Sequence, residues 1–139
     1  MRVLAVGDIV GENGLKKLRT ELLKLKKEKN IDFIIVNGEN VAGGMGITHK
    51  LFNQIIEAGA DVVTLGNHTW SKKDIFNFID DEKLLRPANY PGNVPGKGYS
   101  IYNYKNKKIA VISLLGRTNM GILAENPFLK LGFIMRLYS

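Results

Sequence analysis

Residues 62–70 read VVTLGNHTW, a short apolar run that passes through a glycine directly into polar residues. Two earlier stretches repeat this pattern: VLAVGD at residues 3–8 and FIIVNGEN at residues 33–40. Short apolar runs without polar alternation are typical of strands that are buried on both faces of a parallel sheet. The strands predicted from these runs are Val3–Val6, Phe33–Val36 and Val62–Leu65.

Amphipathic segments separate the predicted strands. Leucines recur at three- and four-residue steps between Leu15 and Leu25, which predicts a helix from about residue 12 to residue 29. A second helix is predicted from His49 to Ala58, with Thr48 as its N-cap and Gly59 directly after its end. Strands and helices that alternate in this way predict an α/β fold with a parallel sheet and right-handed crossovers.

The second half of the chain has a different pattern. A third helix is predicted from Lys72 to about Ile79, with Ser71 and Asp74 as a capping box. Residues 86–98 contain three prolines and three glycines, so we expect an irregular loop there. Two apolar runs then flank four polar residues, which predicts a β-hairpin. The strands of that hairpin are predicted at Tyr99–Tyr104 and Ile109–Leu115.

Composition limits the class of protein. The chain has 139 residues, of which 45% are hydrophobic and 24% charged, as expected for one globular domain. It contains no cysteine, which excludes a disulfide framework, a thiolate zinc site and a cysteine nucleophile. No apolar run reaches the ~18–20 residues of a membrane span, and Asp8 comes too early for a secretory signal. We therefore expect a soluble cytoplasmic protein.

The net charge of +7 comes mainly from the first predicted helix. Residues 15–29 carry seven basic side chains and only two acidic ones, Glu21 and Glu28. The lysines lie opposite the leucine stripe, which favours a solvated helix face. No aromatic residues are interleaved with them to stack on bases, so RNA binding is only weakly indicated.

The polar clusters at the strand ends are the candidate site. Asp8 follows the first strand, Glu39 the second, and Asn67 and His68 the third. The carboxyl ends of neighbouring parallel strands lie side by side, so these residues should converge. Oxygen donors with one or two nitrogens suit Mn²⁺ or Fe²⁺, and a central carboxylate can bridge two such ions. The alternative is structural, with Asp8 capping the next helix, Glu39 a loop acid and Asn67 holding a turn.

Five ordered motifs give the chain a specific resemblance. Residues 1 to about 130 resemble the YmdB-type branch of the calcineurin-like metallophosphoesterases. In the wider superfamily a ligand histidine stands at the position of Val10 and an acid at that of Thr69, and both departures are normal for this branch. The motifs are residues 7–11 (GDIVG), 37–40 (NGEN), 66–70 (GNHTW), 86–98 (RPANYP and PGKG) and 126–128 (NPF).

The resemblance implies an α/β sandwich, two divalent metal ions (iron or manganese) and hydrolysis of phosphodiesters, including 2′,3′-cyclic nucleotides opened at the 2′ position. It also implies that His68 is the proton donor and Glu39 the bridging ligand. A non-catalytic nucleotide- or RNA-binding module and an inactive fragment on the same scaffold are the alternatives. The metal ligands implied are Asp8, Glu39, Asn40 and Asn67.

The family pattern is about twice as long as this chain. Its second half would supply three further histidine ligands, whereas this chain has only His49 and His68. We therefore expect residues 1–130 to form the N-terminal half of a metallophosphoesterase-like domain and residues 131–139 to be a tail without family resemblance. From that half alone we expect an open metal site, and an exposed sheet edge that favours self-association.

Overall fold

A computed structural model of the chain describes residues 1–121 and 123–138. Its helices are α1 (Gly11–Glu28), α2 (His49–Glu57) and α3 (Pro127–Arg136), with a 3-10 helix at Lys73–Asn77. Its strands are β1 (Val3–Val6), β2 (Phe33–Asn37), β3 (Val62–Thr64), β4 (Leu84–Leu85), β5 (Tyr99–Tyr104) and β6 (Lys107–Ile112). The predicted α/β fold with a parallel sheet and a following hairpin is confirmed.

The parallel sheet has the strand order β1-β2-β3-β4. Val6 pairs with Val36, and Val36 pairs with Val63, so the first three strands end close to the same level. This register brings the polar clusters that follow them to one edge of the sheet. Strand β4 was not predicted, because its two leucines form a strand through pairing with β3 and with Lys97, which are distant in sequence.

Helices α1 and α2 cover one face of the sheet, as the leucine stripe predicted. Leu22 of α1 is 1% exposed, and Ile55 of α2 is fully buried against the sheet. The hydroxyl of Thr48 accepts a hydrogen bond from the backbone N–H of Leu51, which confirms the predicted cap. The chain leaves α2 at Gly59, whose φ of 111° favours glycine, so that stop is confirmed too.

The hairpin covers the opposite face of the parallel sheet. Ile109 and Val111 pack against Phe33, Val62 and Leu85, which lie on β2, β3 and β4. The hairpin does not reach β1, where Val3 remains 45% exposed. The expectation that all three apolar runs are buried on both faces is therefore wrong for β1, because that strand lies at the sheet edge outside the hairpin.

Strand β5 has its predicted bounds, whereas β6 differs from the prediction. Strand β6 begins at Lys107 rather than Ile109, because Lys107 and Lys108 pair with the end of β5 across a two-residue turn. It also ends three residues earlier than predicted. Beyond that end, Ser113 N–H donates to the carbonyl of Gly98, and Leu115 N–H donates to the side chain of Asn89.

The third predicted helix is a short 3-10 helix, and its predicted capping box is wrong. Lys72 occupies the N-cap position and makes no side-chain cap bond. The carboxylate of Asp74 instead accepts hydrogen bonds from the backbone N–H of His49 and the carboxamide of Asn77. Asp74 therefore ties this segment to the start of α2, and these two hydrogen bonds lower the pKa of Asp74.

The irregular loop at residues 86–98 is confirmed, and one arginine organises it. The guanidinium of Arg86 donates hydrogen bonds to four backbone carbonyls of the same loop, at distances from 2.8 to 3.1 Å. A planar group with several fixed donors satisfies carbonyls that no regular secondary structure pairs. Those carbonyls belong to Pro87, Val94, Pro95 and Gly96.

Helix α3 includes residues 131–136 of the predicted tail. Asn126 caps the helix by accepting from the N–H groups of Phe128 and Leu129, and Pro127 occupies its first turn. The helix continues across residue 130. The predicted division into a domain at residues 1–130 and a tail at residues 131–139 stays a prediction. None of the helices within residues 1–121 and 123–138 is long and apolar enough to cross a membrane.

Candidate metal centre

Three loops meet at the carboxyl edge of the parallel sheet. Asp8 lies in the loop after β1, Glu39 and Asn40 in the loop after β2, and His68 in the loop after β3. Asp8 is exposed, whereas Glu39, Asn40 and His68 are half-buried. The predicted convergence therefore follows from the strand register.

A chain of side-chain contacts joins Asp8, Asn40 and His68. The carboxamide nitrogen of Asn40 donates to Asp8 Oδ2 at 2.6 Å, and its oxygen faces His68 Nδ1. An ionised carboxylate can only accept hydrogen bonds, so the amide nitrogen must face Asp8. The amide oxygen then accepts the proton of His68 Nδ1, which leaves Nε2 as the nitrogen without a partner in this chain of contacts.

Glu39 lies against the backbone that follows β3. Its Oε2 accepts a hydrogen bond of 3.0 Å from the N–H of His68. Its carboxylate also occupies the space that a side chain on Gly66 would need. Glycine at position 66 is therefore required for this close approach, which sets Glu39 between the second and third loops.

Two hydroxyl groups fix the peptide that precedes Asn67. The carbonyl of Gly66 accepts from Thr69 Oγ1 at 2.7 Å and from the Tyr90 hydroxyl at 3.0 Å. Both residues are buried, and burial raises the pKa of Tyr90. Sequence reasoning placed Thr69 and Tyr90 in its motifs but gave neither a role at the site, because only the folded loop brings both hydroxyls to one carbonyl.

Trp70, which follows the Asn-His pair and Thr69, packs rather than lining an open pocket. It is half-buried, and its ring lies 5.6 Å from that of Phe76 and 5.8 Å from that of Tyr90. These contacts support the outer side of the loop that carries Asn67 and His68.

The candidate side chains are of types that bind metal ions, but they do not surround a single position. Within the described residues, no three side chains of His, Asp or Glu come close enough together to hold one ion. The candidate donors are two carboxylates, two carboxamides and one imidazole, which suit Mn²⁺ or Fe²⁺. The side chain of Asn67 makes no hydrogen bond to any described residue.

Asp8 does not cap α1. Val10 occupies the N-cap position and makes no side-chain hydrogen bond there, so the alternative that Asp8 is a helix cap is excluded.

A comparison with models of protein families shows which family the chain belongs to. The model of the YmdB-like protein family matches residues 4–138. The chain belongs to the YmdB-like family. A 2′,3′-cyclic-nucleotide 2′-phosphodiesterase of Bacillus subtilis is 48% identical over 131 residues, which are 94% of this chain and 49% of that protein. A putative phosphatase/phosphodiesterase of Mycoplasma genitalium is 32% identical, again over 94% of this chain and 49% of that protein.

Solved structures show the same fold. A hypothetical protein from Thermus thermophilus superposes with a TM-score of 0.91 at 34% identity, over 98% of this chain and 53% of that one. A novel phosphatase from Mycoplasma pneumoniae also gives a TM-score of 0.91, at 30% identity, over 99% of this chain and 51% of that one. The chain thus spans about half the length of the YmdB-like relatives that it matches.

Proposed function

We propose that this chain carries the N-terminal half of a metal-dependent phosphodiesterase site that acts on cyclic nucleotides. The hydrogen-bonded convergence of Asp8, Asn40 and His68 beside Glu39 is the observation that carries the proposal. The phosphodiesterase of Bacillus subtilis and the putative phosphatase/phosphodiesterase of Mycoplasma genitalium support the class of reaction. Cytoplasmic location belongs to the same proposal.

Asp8, Glu39, Asn40 and Asn67 are the residues that would hold two ions of iron or manganese. When bound, such ions polarise the phosphoryl oxygens and lower the pKa of an attacking water. Glu39 lies between the loops after β2 and β3, which suits a bridging ligand. Thr69 and Tyr90 hold the peptide that positions Asn67.

His68 would act as the general acid. Its Nδ1 proton is directed at Asn40, so the second proton of an imidazolium would sit on Nε2. From Nε2 that proton can pass to the ribose oxygen as its bond to phosphorus breaks. Asn40 then has two functions, because one amide orients both Asp8 and His68.

This half-site supplies ligands from one side only. We propose that a loaded centre is completed by groups from a second copy of this chain. The exposed edge of β1 and the exposed side chains of α3 favour self-association. Phe128 is 82% exposed and Leu129 is 74% exposed.

The test is hydrolysis of 2′,3′-cyclic AMP with Mn²⁺ by the wild-type chain, Asp8→Asn and Asp80→Asn. Asp80 is an exposed acid remote in sequence from the site, so its substitution matches the charge change. We expect turnover and Mn²⁺ binding to be lost only in Asp8→Asn. Equal turnover in all three folded proteins would contradict the proposal.

A non-catalytic nucleotide- or RNA-binding module on the same scaffold is the second candidate. The excess of cations on α1 favours it. Nucleotide or RNA binding that needs no metal, together with no turnover in any variant, would decide for this module.

A further inference from the structure

A groove of about 1100 Å³ runs between α1 and α2 on the helical face of the sheet. One part of its wall is the segment of residues 41–43, which directly follows the candidate ligands Glu39 and Asn40. The N–H of Gly44 bonds to the carbonyl of Asn40, so this wall is built on the same loop as the site. The groove therefore adjoins the loop that bears two candidate ligands.

Two helices contribute cations to the groove. Lys16 and Arg19 line it from α1, and Lys50 lines it from α2. None of these three forms a salt bridge with a described residue, and Glu12 is the only acid that lines the groove. Lys17 differs, because it does not line this groove and pairs with Glu21 at 3.2 Å.

We propose that this groove binds the sugar–phosphate backbone of single-stranded RNA whose 3′ end lies at the candidate metal centre. The proposal rests on the proposed function for the position of that end, since a 2′,3′-cyclic phosphate needs the 2′-hydroxyl that only RNA carries. Three cations from two walls, none of them in a salt bridge with a described residue, give the groove a positive charge that phosphates can neutralise. No aromatic residue lines the groove, so the contacts are to phosphates and carry no sequence preference.

The electrostatic character of this binding gives a quantitative signature. Each phosphate contact to a single strand releases counterions, so the logarithm of the association constant falls with the logarithm of salt concentration by about 0.7 per contact. Three contacts therefore contribute a slope of about −2. An acidic protein segment is the competing partner, and a flexible carboxylate chain would lack the register of phosphates.

The experiment measures fluorescence anisotropy of a 5′-fluorescein 12-mer of oligouridylate, in EDTA, over a range of KCl concentrations. The groove variant is Lys16→Gln/Arg19→Gln/Lys50→Gln. The control removes the same charge outside the groove, with Lys24→Gln/Lys27→Gln/Lys107→Gln. Circular dichroism confirms that each variant is folded.

We expect the groove variant to lose about 2 units of salt slope and at least tenfold in affinity at low salt, while the control stays within threefold of wild type. Equal losses in both variants, an unchanged slope in the groove variant, or competition by decaglutamate as strong as by unlabelled RNA would overturn the proposal. A wild-type chain that hydrolyses 2′,3′-cyclic AMP without binding RNA would contradict this inference and leave the proposed function standing. RNA binding without turnover contradicts the proposed function and with it the position of the 3′ end, whereas backbone binding in the groove stands.

Discussion

The carboxamide of Asn40 donates a 2.6 Å hydrogen bond to Asp8 Oδ2 and so joins the loop after β2 to the loop after β1. Its oxygen faces His68 Nδ1 in the loop after β3, so one amide links three strand ends. Because the amide nitrogen is committed to Asp8, Asn40 determines which nitrogen of His68 carries the proton. The tautomer of neutral His68 therefore depends on a residue 28 positions earlier in the chain.

Asn40→Ala should change which ring nitrogen of neutral His68 carries the proton. The wild-type chain holds the proton on Nδ1, whereas the variant should shift towards the form protonated on Nε2. Long-range ¹H–¹⁵N correlation spectra distinguish the two forms, and the chain has only two histidines, so His49→Gln assigns the signals. An unchanged His68 spectrum in Asn40→Ala would show that the amide does not set the tautomer.

Gly66→Ala should displace Glu39, because the added methyl group would occupy the space of its carboxylate. We expect a loss of about 1–3 kcal/mol in the free energy of unfolding from the forced overlap. Mn²⁺ affinity should fall at least tenfold, as measured by calorimetry. Gly116→Ala is the control, since nothing lies within 4 Å of a methyl group at that position. The same Mn²⁺ affinity in both variants would show that Glu39 does not contribute to metal binding.

The hydroxyls of Thr69 and Tyr90 should be coupled through the carbonyl of Gly66. Tyr90→Phe or Thr69→Val alone leaves that carbonyl one hydroxyl donor beside the N–H of Thr69, so each should cost about 0.5–1.5 kcal/mol. The double variant leaves this buried carbonyl only the longer hydrogen bond of 3.3 Å from the N–H of Thr69, so its cost should exceed the sum of the single costs by at least about 0.5 kcal/mol. Urea denaturation measures all four proteins, and strict additivity would argue against a shared acceptor.

Acid should weaken the fold at the contact between Asp32 and Tyr104. The Tyr104 hydroxyl and then the N–H of Arg2 lower the pKa of Asp32. A carboxyl with a lowered folded-state pKa stabilises the fold above its unfolded pKa of about 4, and that stabilisation is lost as the pH falls through the folded value. The difference in urea midpoint between wild type and Tyr104→Phe should therefore shrink from pH 6 to pH 3. A constant difference would exclude this linkage.

The sequence predicted the features that local patterns determine. The apolar runs and the leucine stripe of α1 were sufficient to place β1 to β3 and their crossover helices, and the register then brought Asp8, Glu39 and His68 together. Features that depend on distant partners were missed. Strand β4 depends on its pairing with β3. Asp74 was predicted to form a capping box with Ser71, but its carboxylate accepts a hydrogen bond from the backbone N–H of His49 instead.

One missed feature had a local signal. Asn126 followed by Pro127 is a typical helix start, and it caps α3. The roles of Arg86, Thr69 and Tyr90 had none, because each depends on carbonyls that an irregular loop or the end of a strand presents only after folding.

The measurement that tests the central claim most directly is Mn²⁺-dependent hydrolysis of 2′,3′-cyclic AMP by the folded chain beside Asp8→Ala, with bound metal quantified in both. The account predicts that the wild-type chain binds Mn²⁺ and releases the 3′-phosphate, and that Asp8→Ala does neither. A well-folded wild-type chain that neither binds Mn²⁺ nor hydrolyses the substrate, or an Asp8→Ala variant that does both as well as wild type, would contradict it.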